Sequence, residues 1–246
     1  MQGRTIAEQL AEGIELIRAR RRMERFIAYF QPATNTYAGV ERLRAVFEEA
    51  LAHPAIVGLA IGTRPDCVHE EVLDLLAELA RRTWVSVEYG LQTIHDRTLL
   101  WLRRGHGYDA FLDAVERSRR RGLELGAHVI LGLPGESRHD MIATARELSR
   151  LAVDAVKLHN LYAVHGTPLA DWVQTGAVQL PTQEQYVGYA VDFLEHLSPA
   201  CVVDRLSGEA PPQYLVGPSW CLNKSAIRAG IEAEFRRRGT YQGCRA

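Results

Sequence analysis

The 246-residue chain has only four cysteines, Cys67, Cys201, Cys221 and Cys244, and they are scattered singly. That spacing offers no disulfide framework, matches no zinc-ligand pattern and supplies no tight thiolate cluster, so no metal ligands are assigned. Long apolar runs are also missing. None approaches the roughly 20 residues needed to span a bilayer, and Met1-Gln2-Gly3-Arg4 leads into a charged helical segment, not an apolar signal core. The reading is a cytoplasmic chain with no membrane partner. Charge of one sign is lacking too, since a formal net charge of -1 gives no global attraction to nucleic acid. Arginines do cluster locally, at Arg18, Arg20, Arg21 and Arg22, at Arg117, Arg119, Arg120 and Arg121, and at Arg236, Arg237 and Arg238. They read as solvated helix ends favoured by the macrodipole, with an RNA-facing patch as the alternative. No Pro/Gly/Ser-rich linker, fixed-period repeat or low-complexity stretch divides the sequence.

What is present is an ordinary globular balance, 47% hydrophobic and 24% charged, in a length that one α/β domain can fill. A period near 3.6 predicts helices over 5–23, 40–52, 69–82, 109–121, 138–150, 183–197 and 222–237. Short β-rich runs predict strands over 26–31, 56–61, 84–88, 127–131, 154–161 and 201–206. Strands separated by single helices call for right-handed crossovers and a parallel sheet. Five or six such units fall short of an eight-fold barrel, so an open or partial barrel is expected. The order begins with a helix, which implies a missing first strand. Residues 1–208 are read as the barrel core and 209–246 as a C-terminal extension packed on it.

Strand ends carry the chemistry in such folds. Along 84–88, Ser86 and Glu88 share one face and Val85 and Val87 the other, which points Glu88 into the barrel. A buried carboxylate needs a ligand, a role as base or a cationic partner. Lys157 and His159 likewise share a face of their strand, pointing into the barrel unless the strand is an edge with one wet face. His128 is as readily a satisfied core histidine as a contact residue. Thr63-Arg64-Pro65-Asp66 can grip a carboxylate and an ammonium group at once, or Asp66 can cap the following helix. Gln31 and Asn35, in a polar loop, suit a zwitterionic ligand, although Asn35 could also be a helix cap. Gly132-Leu133-Pro134-Gly135-Glu136 marks a strand-to-helix passage where glycines let backbone approach a flat ligand. Arg103-Arg104-Gly105-His106 gives a second carboxylate clamp or a surface turn.

Taken together, Thr63-Arg64-Pro65-Asp66, Glu88-Tyr89-Gly90-Leu91-Gln92-Thr93, Arg104-Gly105-His106 and Ile130-Leu131-Gly132-Leu133-Pro134-Gly135-Glu136 resemble the radical S-adenosylmethionine superfamily. The branch is YhcC-like, related to the elongator-type catalytic subunits that modify tRNA. Tyr29-Phe30-Gln31 with Asn35-Thr36-Tyr37, Lys157-Leu158-His159, Gly166-Thr167-Pro168-Leu169, and Trp220 with Lys224 extend the match over nearly the whole chain. The resemblance implies a partial (β/α)6 TIM-type barrel that binds S-adenosyl-L-methionine beside a 4Fe-4S cluster and cleaves it reductively to a 5'-deoxyadenosyl radical. By position, Gln31 and Asn35 would lie near the methionine amine, Glu88 and Gln92 near the ribose or methionine end, and Arg104 near the carboxylate. Thr63, Arg64 and Asp66 would join the cofactor site. Ile130, Gly132, Leu133 and Pro134 would run along the adenine, and Lys157 and His159 would face adenosine or substrate. An electron donor such as flavodoxin or ferredoxin and a possible RNA substrate are the implied partners.

The superfamily holds its cluster with Cys-x-x-x-Cys-x-x-Cys after the first strand, and the sequence begins downstream of that loop. An N-terminally shortened enzyme is the expectation. Two readings stand beside it: a non-catalytic S-adenosylmethionine- or RNA-binding barrel, and a Schiff-base barrel of the aldolase type using Lys157.

Overall fold

The computed structural model describes residues 4–246. Six parallel strands with helices form a half-barrel: β1 (Phe26–Phe30), β2 (Ile56–Thr63), β3 (Trp84–Gln92), β4 (Glu124–Leu131), β5 (Ala155–Asn160) and, after the short β6 (Ala163–Val164), β7 (Val202–Arg205). Their order is β1-β2-β3-β4-β5-β7, while β6 pairs antiparallel with β8 (Leu215–Gly217). The helices are α1 (Ile6–Arg18), α2 (Val40–Leu51), α3 (Glu70–Ala80), α4 (Asp96–Trp101), α5 (Tyr108–Arg119), α6 (Arg138–Arg150), α7 (Pro168–Gln174), α8 (Gln183–His196) and α9 (Lys224–Arg238). No helix among the described residues is long and apolar enough to cross a membrane.

Two compact units make up the chain. The first runs through Gly90 and includes Asp109–Leu125; the second comprises Leu91–Tyr108 and Gly126–Ala246. In the first, strand alternation sends Leu59, Ile61, Val85, Val87 and Tyr89 to the buried outer face. There Tyr89 meets the Phe111 ring edge-on at 6.2 Å and bonds the Ser118 hydroxyl of α5 at 2.7 Å. Burial pushes the Tyr89 hydroxyl up to about 12. The helix α3 buries Val72, Leu73, Leu75, Leu76 and Leu79, the stripe that a 3.6-residue period dictates. The arginines at 117–121 are spent on this unit's surface: Arg117 pairs with Glu70 and Asp113, and Arg121 with Glu70 and Asp74.

On the other face of β2 the residues are small. Gly58, Ala60 and Gly62 stand in register with Trp84, Ser86 and Glu88 of β3, and Ile27 and Tyr29 of β1 stand beside Gly58 and Ala60. A Cβ on Gly58 would lie 2.8 Å from the Trp84 carbonyl oxygen and 3.0 Å from its ring, so only glycine fits beneath that indole.

In the second unit, capping boxes fix the starts of α6, where Ser137 and Asp140 bond reciprocally, and of α8, where Thr182 and Gln185 do. Two hydrogen bonds from Ser137, together with Arg97 and His95, hold the Asp140 carboxyl down to about 2. The C-terminal helix α9 lies against α8, with Arg238 bonding Asp192 at 2.6 Å and Glu195 at 3.3 Å.

The ring of Phe47 is fully buried and meets Phe30 edge-on at 5.2 Å, which joins α2 to β1. Phe47→Ala should therefore cost ~3–5 kcal/mol in urea unfolding, with the slope against denaturant unchanged. A loss below ~1 kcal/mol would show that this contact is not part of the core.

Candidate functional site

In the first unit, Gln31, Asn35, Thr63, Arg64, Asp66 and Glu88 are placed by the ends of three adjoining strands. Glu88 is only 3% exposed and accepts a hydrogen bond from the Tyr29 hydroxyl at 3.0 Å. Tyr29 sits on β1 and Glu88 on β3. The phenol reaches across β2 because Ala60 and Gly62 raise nothing larger than a methyl group in its way. Asn35 donates both amide hydrogens to backbone, to Phe30 O at 2.9 Å and Gly62 O at 2.8 Å. Its Oδ1 is left as an acceptor. Thr63 is buried, its hydroxyl 2.6 Å from that of Thr36, which in turn donates to the Cys67 carbonyl. Arg64 and Asp66 form a bidentate pair at 2.9 and 2.6 Å and line a surface hollow with Thr34, Tyr37 and His69. His69, not Asp66, is the N-cap residue of α3. Gln31 is exposed just beyond β1.

The second unit holds the remaining candidates. Gln92 ends β3 at φ 70°, a left-handed conformation that non-glycine residues adopt only when their surroundings impose it. Next to it, Thr93 donates to Glu136 at 2.7 Å, tying the β3 exit to the Leu133-Pro134-Gly135-Glu136 turn. Burial raises the Glu136 carboxyl above its usual range. Gly132, at φ 80°, is a position a side chain could not fill, since a Cβ would meet Pro181 at 2.5 Å. Ile130 is half-buried on the same face as His128, whereas Leu133 is buried and Pro134 half-buried. Arg104 is half-buried in the 103–107 turn after α4.

On β5, Lys157 and His159 project from one face beside His128 and Ile130 of β4, and the other face carries Val156 and Leu158 into the core. The His128 and His159 rings stack at 5.6 Å and 28°. His159 Nε2 is bonded by the Arg205 guanidinium from β7. Burial, then Arg205, His128 and Lys157, drive the His159 pKa down to about 3, so the ring is neutral and Nε2 is the acceptor. Lys157 Nζ lies 4.0 Å from an Asp204 carboxylate oxygen. An ion-paired ammonium is a poor start for an imine-forming amine.

Arg205 is the residue the sequence reading missed. It ends β7, within the β-rich run at 201–206, and an irregularity in the pairing between Val156 and Lys157 brings it opposite Lys157, a register that alternation alone does not give.

Among the described residues no three His, Cys, Asp or Glu side chains are grouped to hold a metal. Cys67 is half-buried in the first unit, while Cys201, Cys221 and Cys244 belong to the second. The residues present do not fit a 4Fe-4S cluster, which takes three or four thiolates at one point.

The His159 assignment predicts a pH dependence. With a folded pKa near 3 against an ordinary 6.5, the unfolded chain binds the extra proton between those values, so stability falls as pH drops through that window. His159→Asn should flatten the decline between pH 6.5 and about 4 in urea titrations; an unchanged slope would contradict a neutral, buried ring.

Residues 3–148 match the radical SAM superfamily and residues 153–237 match the Radical_SAM C-terminal domain. Protein YhcC of Escherichia coli is 39% identical over 224 residues, which is 91% of this chain and 72% of that protein. A tRNA uridine(34) acetyltransferase of Dehalococcoides mccartyi is 27% identical over 192 residues, 77% of this chain and 40% of that protein. Among solved structures, the archaeal Elp3 of Methanocaldococcus infernus with an N-terminal deletion superposes with a TM-score of 0.80 at 18% identity. That likeness covers 94% of this chain and 58% of the archaeal one, and it carries the half-barrel fold. With one superfamily match over residues 3–148 and a 39%-identical relative along 91% of its length, the chain belongs to the radical S-adenosylmethionine superfamily, in its YhcC-like branch.

Proposed function

We propose that the chain is the S-adenosylmethionine-binding half-barrel of a radical enzyme. The observation that carries the reading is Glu88, a buried carboxylate on the polar face of β3 with the Tyr29 hydroxyl aimed at it. An acceptor so placed suits the ammonium or ribose hydroxyls of the cofactor. In the first unit, Gln31 and the Oδ1 of Asn35 would receive the ammonium group, and Thr63, Arg64 and Asp66 would complete the zwitterion's surroundings. In the second, Gln92 would serve the ribose or methionine end, Arg104 the carboxylate, and Ile130, Gly132, Leu133 and Pro134 the adenine. Lys157 and His159 would face the substrate. Residues 209–246 would act as an extension steadying the 1–208 core.

In this superfamily a 4Fe-4S cluster supplies the electron that cleaves the sulfonium, fed by a donor such as flavodoxin or ferredoxin. The described cysteines do not form its ligand set, so this chain's residues are given binding and orienting roles alone. Orientation and exclusion of water are the protein's share of such chemistry. RNA is the favoured substrate class, supported by the similarity to a tRNA uridine(34) acetyltransferase.

Calorimetry with S-adenosylmethionine tests the reading. The full chain should bind it with a saturable heat, and Glu88→Gln should weaken binding roughly ten- to a hundredfold, the value of a hydrogen bond to a charged group. Equal affinity in the variant, with an unchanged circular dichroism spectrum, would remove Glu88 from the site; no heat in the native chain would remove the reading.

A further inference from the structure

Arg205 poses a problem that the cofactor does not solve. Its guanidinium is half-buried at the end of β7, one nitrogen bonds His159, and its buried Nε has no hydrogen-bond partner among the described residues. No carboxylate among the described residues forms an ion pair with it. The neighbouring Asp204 is directed to Lys157. The Tyr186 hydroxyl, close enough for its charge to be felt, donates instead to the Leu206 carbonyl at 2.6 Å. Lys157, which pairs with Arg205 in the β5–β7 register, adds a second cation beside it. Half-buried guanidinium groups are costly without a counter-ion, and a buried N–H left unbonded costs more.

The geometry around Arg205 is also fixed. Neutral His159 accepts from one of its nitrogens, and Gly208 leaves room on the far side of the imidazole, where a Cβ would stand 2.7 Å from Nδ1. Asn160 Oδ1 holds that loop by accepting from the Gly208 amide at 3.1 Å. His159 thus steers the guanidinium and leaves Nε and the rest of the fork for another acceptor. A planar fork of N–H donors matches the oxygens of a carboxylate or a phosphate.

We propose that Arg205, positioned by His159, is the anchor for an oxyanion carried by the substrate, a carboxylate or a phosphate. Calling the ligand substrate rests on the S-adenosylmethionine reading, in which Arg104 serves the cofactor's own carboxylate. The anion site itself stands without it.

The test follows the His159 ring nitrogens by NMR in the full chain, titrated with inorganic phosphate or with acetate at an ionic strength held constant by chloride. A saturable shift with one of them, and an affinity roughly tenfold weaker in Arg205→Gln, is the expected result. Preference for phosphate assigns a phosphoester substrate, and preference for acetate a carboxylic acid. If Arg205→Gln does not fold, Arg205→Lys keeps the charge but loses the fork, and binding weakened several-fold is expected. Equal shifts with chloride, no saturation, or equal affinity in the variants would overturn the site. Saturating S-adenosylmethionine separates the two claims: phosphate bound alongside it supports a substrate anchor, and displacement of phosphate by it overturns that assignment. Failure of the cofactor to bind leaves the anion titration to be read on its own.

Discussion

A carboxylate held at 3% exposure constrains everything near it, and in this chain that carboxylate is Glu88. It must receive hydrogen bonds, and one comes from a tyrosine two strands away. The path is open only because β2 presents Gly58, Ala60 and Gly62 on that face, while Leu59 and Ile61 are fully buried on the outer one. The same alternation that packs the helices therefore leaves only small residues on the polar face of β2. A valine at 60 or 62 would break the reach of Tyr29 without touching the outer core.

The second unit repeats the division with opposite charge. Val156 and Leu158 seal β5 to its helices, and Lys157, His159 and Arg205 populate the other face. Burial among cations keeps His159 neutral, which makes it an acceptor for Arg205 and not a competitor for an anion. Capping at Ser137–Asp140 and the Thr93–Glu136 bond hold the turn after β4 so that Gly132 can keep its left-handed backbone.

Much of this was legible in the sequence, because long periodic segments announce themselves. The helix read over 138–150 is Arg138–Arg150, and the face shared by Ser86 and Glu88 follows from alternation alone. Short elements were not legible: α4 has six residues and β6 two, too few for a period to emerge. The first helix stops at Arg18, short of the predicted 23, where the arginine run gives no apolar stripe to bury. Local pattern also could not show that the Asn35 amide is spent on strand-end carbonyls, since the Gly62 carbonyl comes from a separate strand. Arg205 was missed for the same reason, its partner lying 46 residues away.

The central claim is the proposed cofactor-binding role of the strand ends around Glu88 in the first unit. Hydrogen–deuterium exchange on the full chain with and without S-adenosylmethionine tests it most directly. The account predicts slowed exchange in 31–37 and 62–67, with the helical exterior unchanged; protection confined to the helices, or none at all, would contradict it.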